Sequence, residues 1–218
     1  MSRNATGRAT KFDANILITL ELSALSRVAW VLVGGRSSRM GVDKARAESD
    51  GRALALRVAD AVAKVCDSVT LVGDPATYSD LGLPVIADRF PGQGPLAGIE
   101  AALAATGCDN NLIVSCDMPA ISQNLLEAIF AAAETGDCAL PRHDDGRLEP
   151  LCAVYRRSCH PVILAALEAG IRKVTDALQW KGLSAASKPL ALRYVRVPDP
   201  ASLANLNTPE DWRKYHHG

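Results

Sequence analysis

Residues 28–47, VAWVLVGGRSSRMGVDKARA, constrain this chain more than any other stretch. Residues 28–33 are an apolar run with the length and β-branched content of a buried parallel strand. Gly34 and Gly35 then let the backbone turn sharply and approach a ligand with no Cβ in the way. The loop that follows holds Arg36, Arg39 and Lys44 among small residues, with Gly41 as a further turn. A strand, a glycine turn and several cations in one short segment suit an anionic phosphate group. Main-chain amides can form a concave nest, and the cations neutralise the remaining charge.

Two familiar phosphate loops do not fit. A P-loop needs four residues between its glycines and Lys directly after the second. Here five residues separate Gly35 from Gly41, and Lys44 stands three beyond it. The G-x-G-x-x-G of dinucleotide folds is absent near Gly34. The pattern that does fit is L-[AV]-G-G-x-S-x-R-M-G-x-D-K-A, which closely resembles the signature loop of the molybdenum cofactor guanylyltransferases within the nucleotidyltransferase superfamily. Val33 takes the place of the usual Ala.

An anion site has to be local, because 24 basic residues balance 24 acidic ones and no overall field favours nucleic acid or a membrane. At 218 residues, 48% hydrophobic and 22% charged, the chain has the make-up of one soluble domain with a sizeable core. The first 27 residues differ in character and are expected to be a disordered extension or the product of a start codon placed too early, leaving 28–218 as the nucleotidyltransferase domain. They lack a convincing signal peptide, and no run reaches transmembrane length. The six cysteines form no C-x-x-C pair and read as buried thiols of a reducing cytoplasm, not a disulfide frame or zinc site.

Along the chain, an apolar stripe predicts a helix over 52–66 and a β-rich run a strand over 68–72, closed by a turn at Gly73, Asp74 and Pro75. A short strand over 84–87 leads into residues 88–98, a glycine- and proline-rich loop before a helix to 105. A strand over 111–115 ends in Cys116, Asp117, Met118 and Pro119. A carboxylate at the carboxyl end of a central parallel strand lies where open α/β sheets bind ligands. Its hard oxygens suit Mg²⁺, which holds triphosphates with only one or two protein carboxylates. A plain turn or helix cap is the alternative for Asp117. Helices over 123–133, 160–169 (with Ser158 as cap) and 174–180 alternate with strands over 139–142, 152–155 and 192–197. His143 falls in a polar turn with no nucleophile to pair with. Thr208, Pro209, Glu210 and Asp211 read as a helix start. This order predicts an α/β, Rossmann-like fold, a mostly parallel sheet with helices on both faces, and the family resemblance implies that it is of the nucleotide-diphospho-sugar transferase type.

Further segments resemble the same family in the same order, from Val28 to Trp212: G-P-L-A-G at Gly94 and Pro95, C-D-T-P with Met118 in place of Thr, R-x-[EQ]-P-L at Arg147, G-x-R-x-[VL] at Arg172, and N-[IVL]-N-T-P-E-[DE] at Asn205 and Asn207. The resemblance implies guanylyl transfer from GTP to molybdenum-molybdopterin, with release of pyrophosphate. It implies Arg39 and Lys44 on the triphosphate and Asp117 on Mg²⁺. Leu32, Val33, Gly34, Gly35, Gly73 or Asp74, Asp88, Gly94 and Pro95 would surround the nucleoside. Arg147, Asn205 and Asn207 would face the acceptor. Cofactor-handling or molybdoenzyme proteins would be the partners. The nearest alternative is cytidylyl transfer or a sugar-phosphate nucleotidyltransferase. A catalytically silent nucleotide-binding module would be expected to lose Lys44 or Asp117, and this chain keeps both.

Overall fold

Strand β1 (Arg27–Leu32) lies inside a seven-stranded sheet because its residues are apolar on both faces. Ala29 and Val31 enter one core while Trp30 and Leu32 enter the other, as a strand covered on both sides requires. The computed structural model describes residues 26–34, 43–49, 51–181, 189–206 and 211. In chain order the other elements are β2 (Glu48–Ser49), β3 (Arg52–Ala53), α1 (Leu54–Val62), β4 (Ser68–Val72), α2 (Pro75–Tyr78), β5 (Val85–Ile86) and α3 (Pro95–Ala105). Then come β6 (Asn110–Ser115), α4 (Gln123–Ala133), β7 (Cys138–Arg142), β8 (Cys152–Arg156), α5 (His160–Glu168), α6 (Val174–Leu178) and β9 (Leu192–Arg196).

The sheet order is β5-β4-β1-β6-β8-β7-β9. β8 runs antiparallel to both its neighbours, and the other pairings are parallel. Helices α1 and α4 pack on one face of the sheet, and α3, α5 and α6 on the other. The Rossmann-like reading is therefore borne out. From β1 the chain steps outward through β4 to β5, then returns over α3 to β6 and proceeds the opposite way. The reversal falls between β1 and β6, and open α/β sheets bind ligands outside the carboxyl ends of the strands at such a point. Among the described residues no helix is long and apolar enough to cross a membrane.

Three local expectations change. The helix expected over 52–66 begins at Leu54, because Arg52 and Ala53 pair with Ser49 and Glu48 in a two-stranded ribbon. Ser158 does not cap α5; its hydroxyl reaches Asp137 Oδ1 at 3.0 Å, and the flanking Cys159 makes no side-chain cap bond. The turn at 73–75 is the start of α2, with Asp74 as its N-cap. All six cysteines are free, and Cys116, Cys138, Cys152 and Cys159 are buried as expected, whereas Cys66 and Cys108 are only half-buried. The helix start read at Thr208, Pro209 and Glu210 lies outside the described residues, although Asp211 is helical.

Candidate active site

The two ladders flanking β1 continue one step beyond its end. Val33 N–H donates to the Val72 carbonyl at 2.9 Å, and Cys116 N–H to the Leu32 carbonyl at 3.2 Å. The ends of β1, β4 and β6 are thus held level, and Gly34, Gly73 and Asp117 emerge from one edge of the sheet. Gly73 has a packing reason to be glycine: a Cβ there would stand 2.7 Å from both Val33 Cγ2 and the Val33 carbonyl oxygen.

Lys44 is placed by α1. That helix has no side-chain N-cap. Its first amides, which have no partner within the helix, bond instead to the turn before it, Leu54 N–H to the Ala47 carbonyl at 2.9 Å and Ala55 N–H to the Ala45 carbonyl at 3.1 Å. Asp43 tightens the same turn, its Oδ1 accepting from Ala45 N–H at 3.0 Å. The turn thereby delivers Lys44 Nζ to 3.6 Å from Asp117 Oδ2, with the two side chains 22% and 16% exposed. The other Asp117 oxygen accepts from the Ser115 hydroxyl at 2.7 Å. Below them Cys116 is buried, and that burial pushes its thiol up to about 12; Asp117 and Asp43 add to the shift and Lys44 opposes it. Tyr78 closes the β4 side. Burial, then a hydrogen bond to Asp43, raise its hydroxyl well above the ordinary range. Arg46 spans from Asp43 to Asp80 and the Thr77 carbonyl, tying this turn to the end of α2.

On the β5 side, Asp88 Oδ1 accepts from Phe90 N–H at 2.7 Å, and burial, opposed by that bond, raises its carboxyl above the usual range. Gly94 and Pro95 are exposed at the start of α3. Gly94 has φ +80°, the left-handed conformation that glycine tolerates. Asp74 has both oxygens engaged at α2, from Ala76 N–H at 3.0 Å and the Thr77 hydroxyl at 2.9 Å.

Beyond β6, Ser115 N–H donates to the Leu151 carbonyl at 2.9 Å, so the 147–151 segment borders Asp117 from the other side. Arg147 is largely exposed there, 3.6 Å from Glu149 Oε1. His143 is buried rather than a solvated turn residue, with Nε2 2.8 Å from the same Glu149 oxygen. The C-terminal segment also reaches the site: Leu206 N–H donates to the Asp117 carbonyl at 3.0 Å, which sets the half-buried Asn205 beside it.

Of the residues singled out in the sequence, the structure gathers Leu32, Val33, Gly34, Lys44, Gly73, Asp74, Asp88, Gly94, Pro95, Asp117, Arg147 and Asn205 along the carboxyl edge of the sheet. Gly35, Arg39 and Asn207 lie outside the described residues. Ser115, Asp43 and Tyr78 were not assigned. Asp43 stood in the loop pattern and could have been; Ser115 and Tyr78 carry no local signal. Met118 is buried in the core, so the hydroxyl beside Asp117 comes from Ser115 instead. Chemically, among the described residues this edge offers the Lys44–Asp117 ion pair, the exposed Arg147, further carboxylates at Asp43 and Asp88, and main-chain groups around a strand reversal. That equipment suits holding and orienting a phosphorylated ligand better than nucleophilic attack by a side chain.

Comparison with known proteins agrees. Residues 29–182 match the family described as the MobA-like NTP transferase domain. A molybdenum cofactor guanylyltransferase of Desulfosudis oleivorans is 36% identical over 190 residues, 84% of this chain and 91% of that one. A probable molybdenum cofactor guanylyltransferase of Pelotomaculum thermopropionicum is 37% identical over 184 residues, covering 83% and 87% of the two chains. Among solved structures, molybdopterin-guanine dinucleotide biosynthesis protein A from Archaeoglobus fulgidus superposes with a TM-score of 0.71 at 27% identity, over 86% of this chain and 95% of that one.

Proposed function

The chain belongs to the molybdenum cofactor guanylyltransferases of the MobA-like NTP transferase family, and on that premise we propose that it transfers GMP from GTP to molybdenum-molybdopterin. A terminal phosphate oxygen of the acceptor attacks the α-phosphorus of GTP. A P–O bond forms to the acceptor, the bond from the α-phosphorus to its bridging oxygen breaks, and pyrophosphate leaves. The acceptor phosphate is already anionic at neutral pH, so the task is in-line positioning and charge neutralisation, with no strong base required.

The observation that carries this reading is the placement of Lys44 against Asp117 at the strand reversal. Lys44, with Arg39, would hold the triphosphate and the developing pyrophosphate. Asp117 would hold Mg²⁺. Its carboxylate fits that part: it is partly exposed, one oxygen is oriented by Ser115, and Mg²⁺ bound to a triphosphate needs only one or two protein carboxylates. No cluster of three or more metal-ligating side chains is found among the described residues, and none is needed. Bound there, the ion would neutralise phosphate charge as the leaving group departs.

The main chain at Leu32, Val33, Gly34 and Gly35, with Gly73, Asp88, Gly94 and Pro95, would surround the nucleoside. Asp74 would act from beneath, by shaping the turn after Gly73. Arg147, Asn205 and Asn207 would meet the acceptor across Asp117. A cytoplasmic enzyme of this kind would exchange its cofactor with cofactor-handling or molybdoenzyme proteins.

Calorimetric titration of GTP and CTP, with and without Mg²⁺, tests the proposal. Mg²⁺-dependent preference for GTP is expected. Preference for CTP would move the protein to cytidylyl transfer on the same fold, and binding of neither would overturn the reading.

A further inference from the structure

Helix α3 is buried through most of its length, from Leu96 to Leu103, and an ionised side chain in such a helix is costly unless paired. It nevertheless carries Glu100, whose side chain is 0% exposed. Arg89 donates to both of its oxygens, from Nε to Oε2 at 3.1 Å and from a terminal nitrogen to Oε1. His160, the first residue of α5, brings Nε2 to 2.8 Å from Oε1. Burial pushes the Glu100 carboxyl up, but the bonds from Arg89 and His160 outweigh it and hold it below the usual carboxylate range. The group is therefore an anion clamped between two helices and a loop.

Stability alone is a poor reason for such a group, since apolar residues of similar volume often replace a buried ion pair without loss. The position of Arg89 suggests a different one. It follows Asp88 directly, in a glycine- and proline-rich loop whose residues 91, 92 and 94 are exposed. Phe90 N–H bonds to Asp88, and Gln93 N–H to the Phe90 carbonyl at 3.2 Å. Fixing Arg89 therefore fixes the whole bend that presents Asp88 and the start of α3.

We propose that Glu100 is a positioning residue: together with His160 it anchors Arg89, and through Arg89 it holds residues 88–94 in the shape that receives the nucleotide. This rests on the assignment of that loop to GTP made above. Glu100 itself touches no substrate and acts through the loop.

Glu100→Met tests the clamp, because it keeps bulk in the core while the half-exposed Arg89 turns to water, leaving no buried charge behind. The unfolding temperature should hold within a few degrees. Amide hydrogen exchange at 89–94 should quicken by about tenfold, and KM for GTP should rise by about tenfold with kcat within about twofold. Should Glu100→Met fail to fold, Arg89→Lys carries the same test, keeping the charge but losing the two-point bond, with changes of about threefold. Unchanged exchange and unchanged KM in whichever variant folds would overturn the clamp. Failure of the unaltered protein to bind GTP would overturn the function proposed above instead. Faster exchange in the variants would then still support the clamp on the loop, and unchanged exchange would still sink it.

Discussion

Lys44 and Asp117 come from loops after different strands, yet each is the other's charged neighbour. Removing either takes a charged neighbour from the other, so the two should not act additively. Lys44→Ala is expected to lower turnover by about 10²–10³-fold with the fold retained, the scale seen when one group that stabilises developing charge is lost. Steady-state turnover beside a thermal unfolding curve checks this, and near-native turnover would remove Lys44 from its role. Asp117→Asn keeps the shape but weakens the metal ligand, so GTP affinity should become insensitive to Mg²⁺ in calorimetry. An unchanged Mg²⁺ titration would count against Asp117 as the ligand. Both residues were legible in the sequence, Asp117 because it stands where an apolar run ends in turn-forming residues, and Lys44 because it stands in the glycine-rich loop that carries the family resemblance. Ser115 was not: whether a hydroxyl at a strand end faces the ligand depends on the pleat. Glu100 was hidden for another reason. Its partners lie 11 and 60 residues away, a separation that no local pattern reports.

At the level of elements, the strands with long apolar runs were readable and the two-residue ribbon of β2 and β3 was not, being too short to show a period. That ribbon decides where α1 begins, and hence where the turn bearing Lys44 docks. The approach of β4 to β1 was half legible. Gly73 was read as a ligand-facing glycine, but its nearest constraint is Val33, whose side chain and carbonyl oxygen would each lie 2.7 Å from an added Cβ. Gly73→Ala should force these strand ends apart and cost about 1–3 kcal/mol, the range for overpacking a tight core. Because the displaced backbone leads directly into Gly34, GTP binding should weaken as well. Urea unfolding measures the first effect and calorimetry the second. Gly107→Ala, where an added Cβ meets nothing within 4 Å, serves as the control, with a change within about 0.5 kcal/mol. Equal stability of the two variants would mean that the strand ends have slack.

For the molecule as a whole, acidic and basic residues are equal in number, so no large net charge strains the fold near neutrality. Its response to acid should then depend on individual carboxylates whose surroundings differ between the folded and unfolded states. Among the described residues, Glu100 is the buried one held low, by Arg89 and His160 against the cost of burial. A carboxyl depressed in the folded state contributes stability above its unfolded value, near 4.3 for Glu. That contribution is lost as pH falls through the lower folded value. Asp88 has the opposite sign: burial raises its folded value, so acid relieves it first. Asp80 and Asp144 are also held low, by Arg46 and Arg196, but on the exposed surface, where salt screens them. Unfolding temperatures recorded from pH 8 to pH 3 in about 0.5 M salt should therefore isolate the buried pair of effects. Glu100→Gln should be less stable than the unaltered protein at neutral pH, and the gap should close as acid neutralises Glu100. Asp88→Asn should steepen the acid limb, since it removes the group that acid relieves. Curves for Glu100→Gln and the unaltered protein that run parallel down to pH 3 would mean that Glu100 is not the anion its partners imply, and the clamp on the 88–94 loop would lose its physical basis.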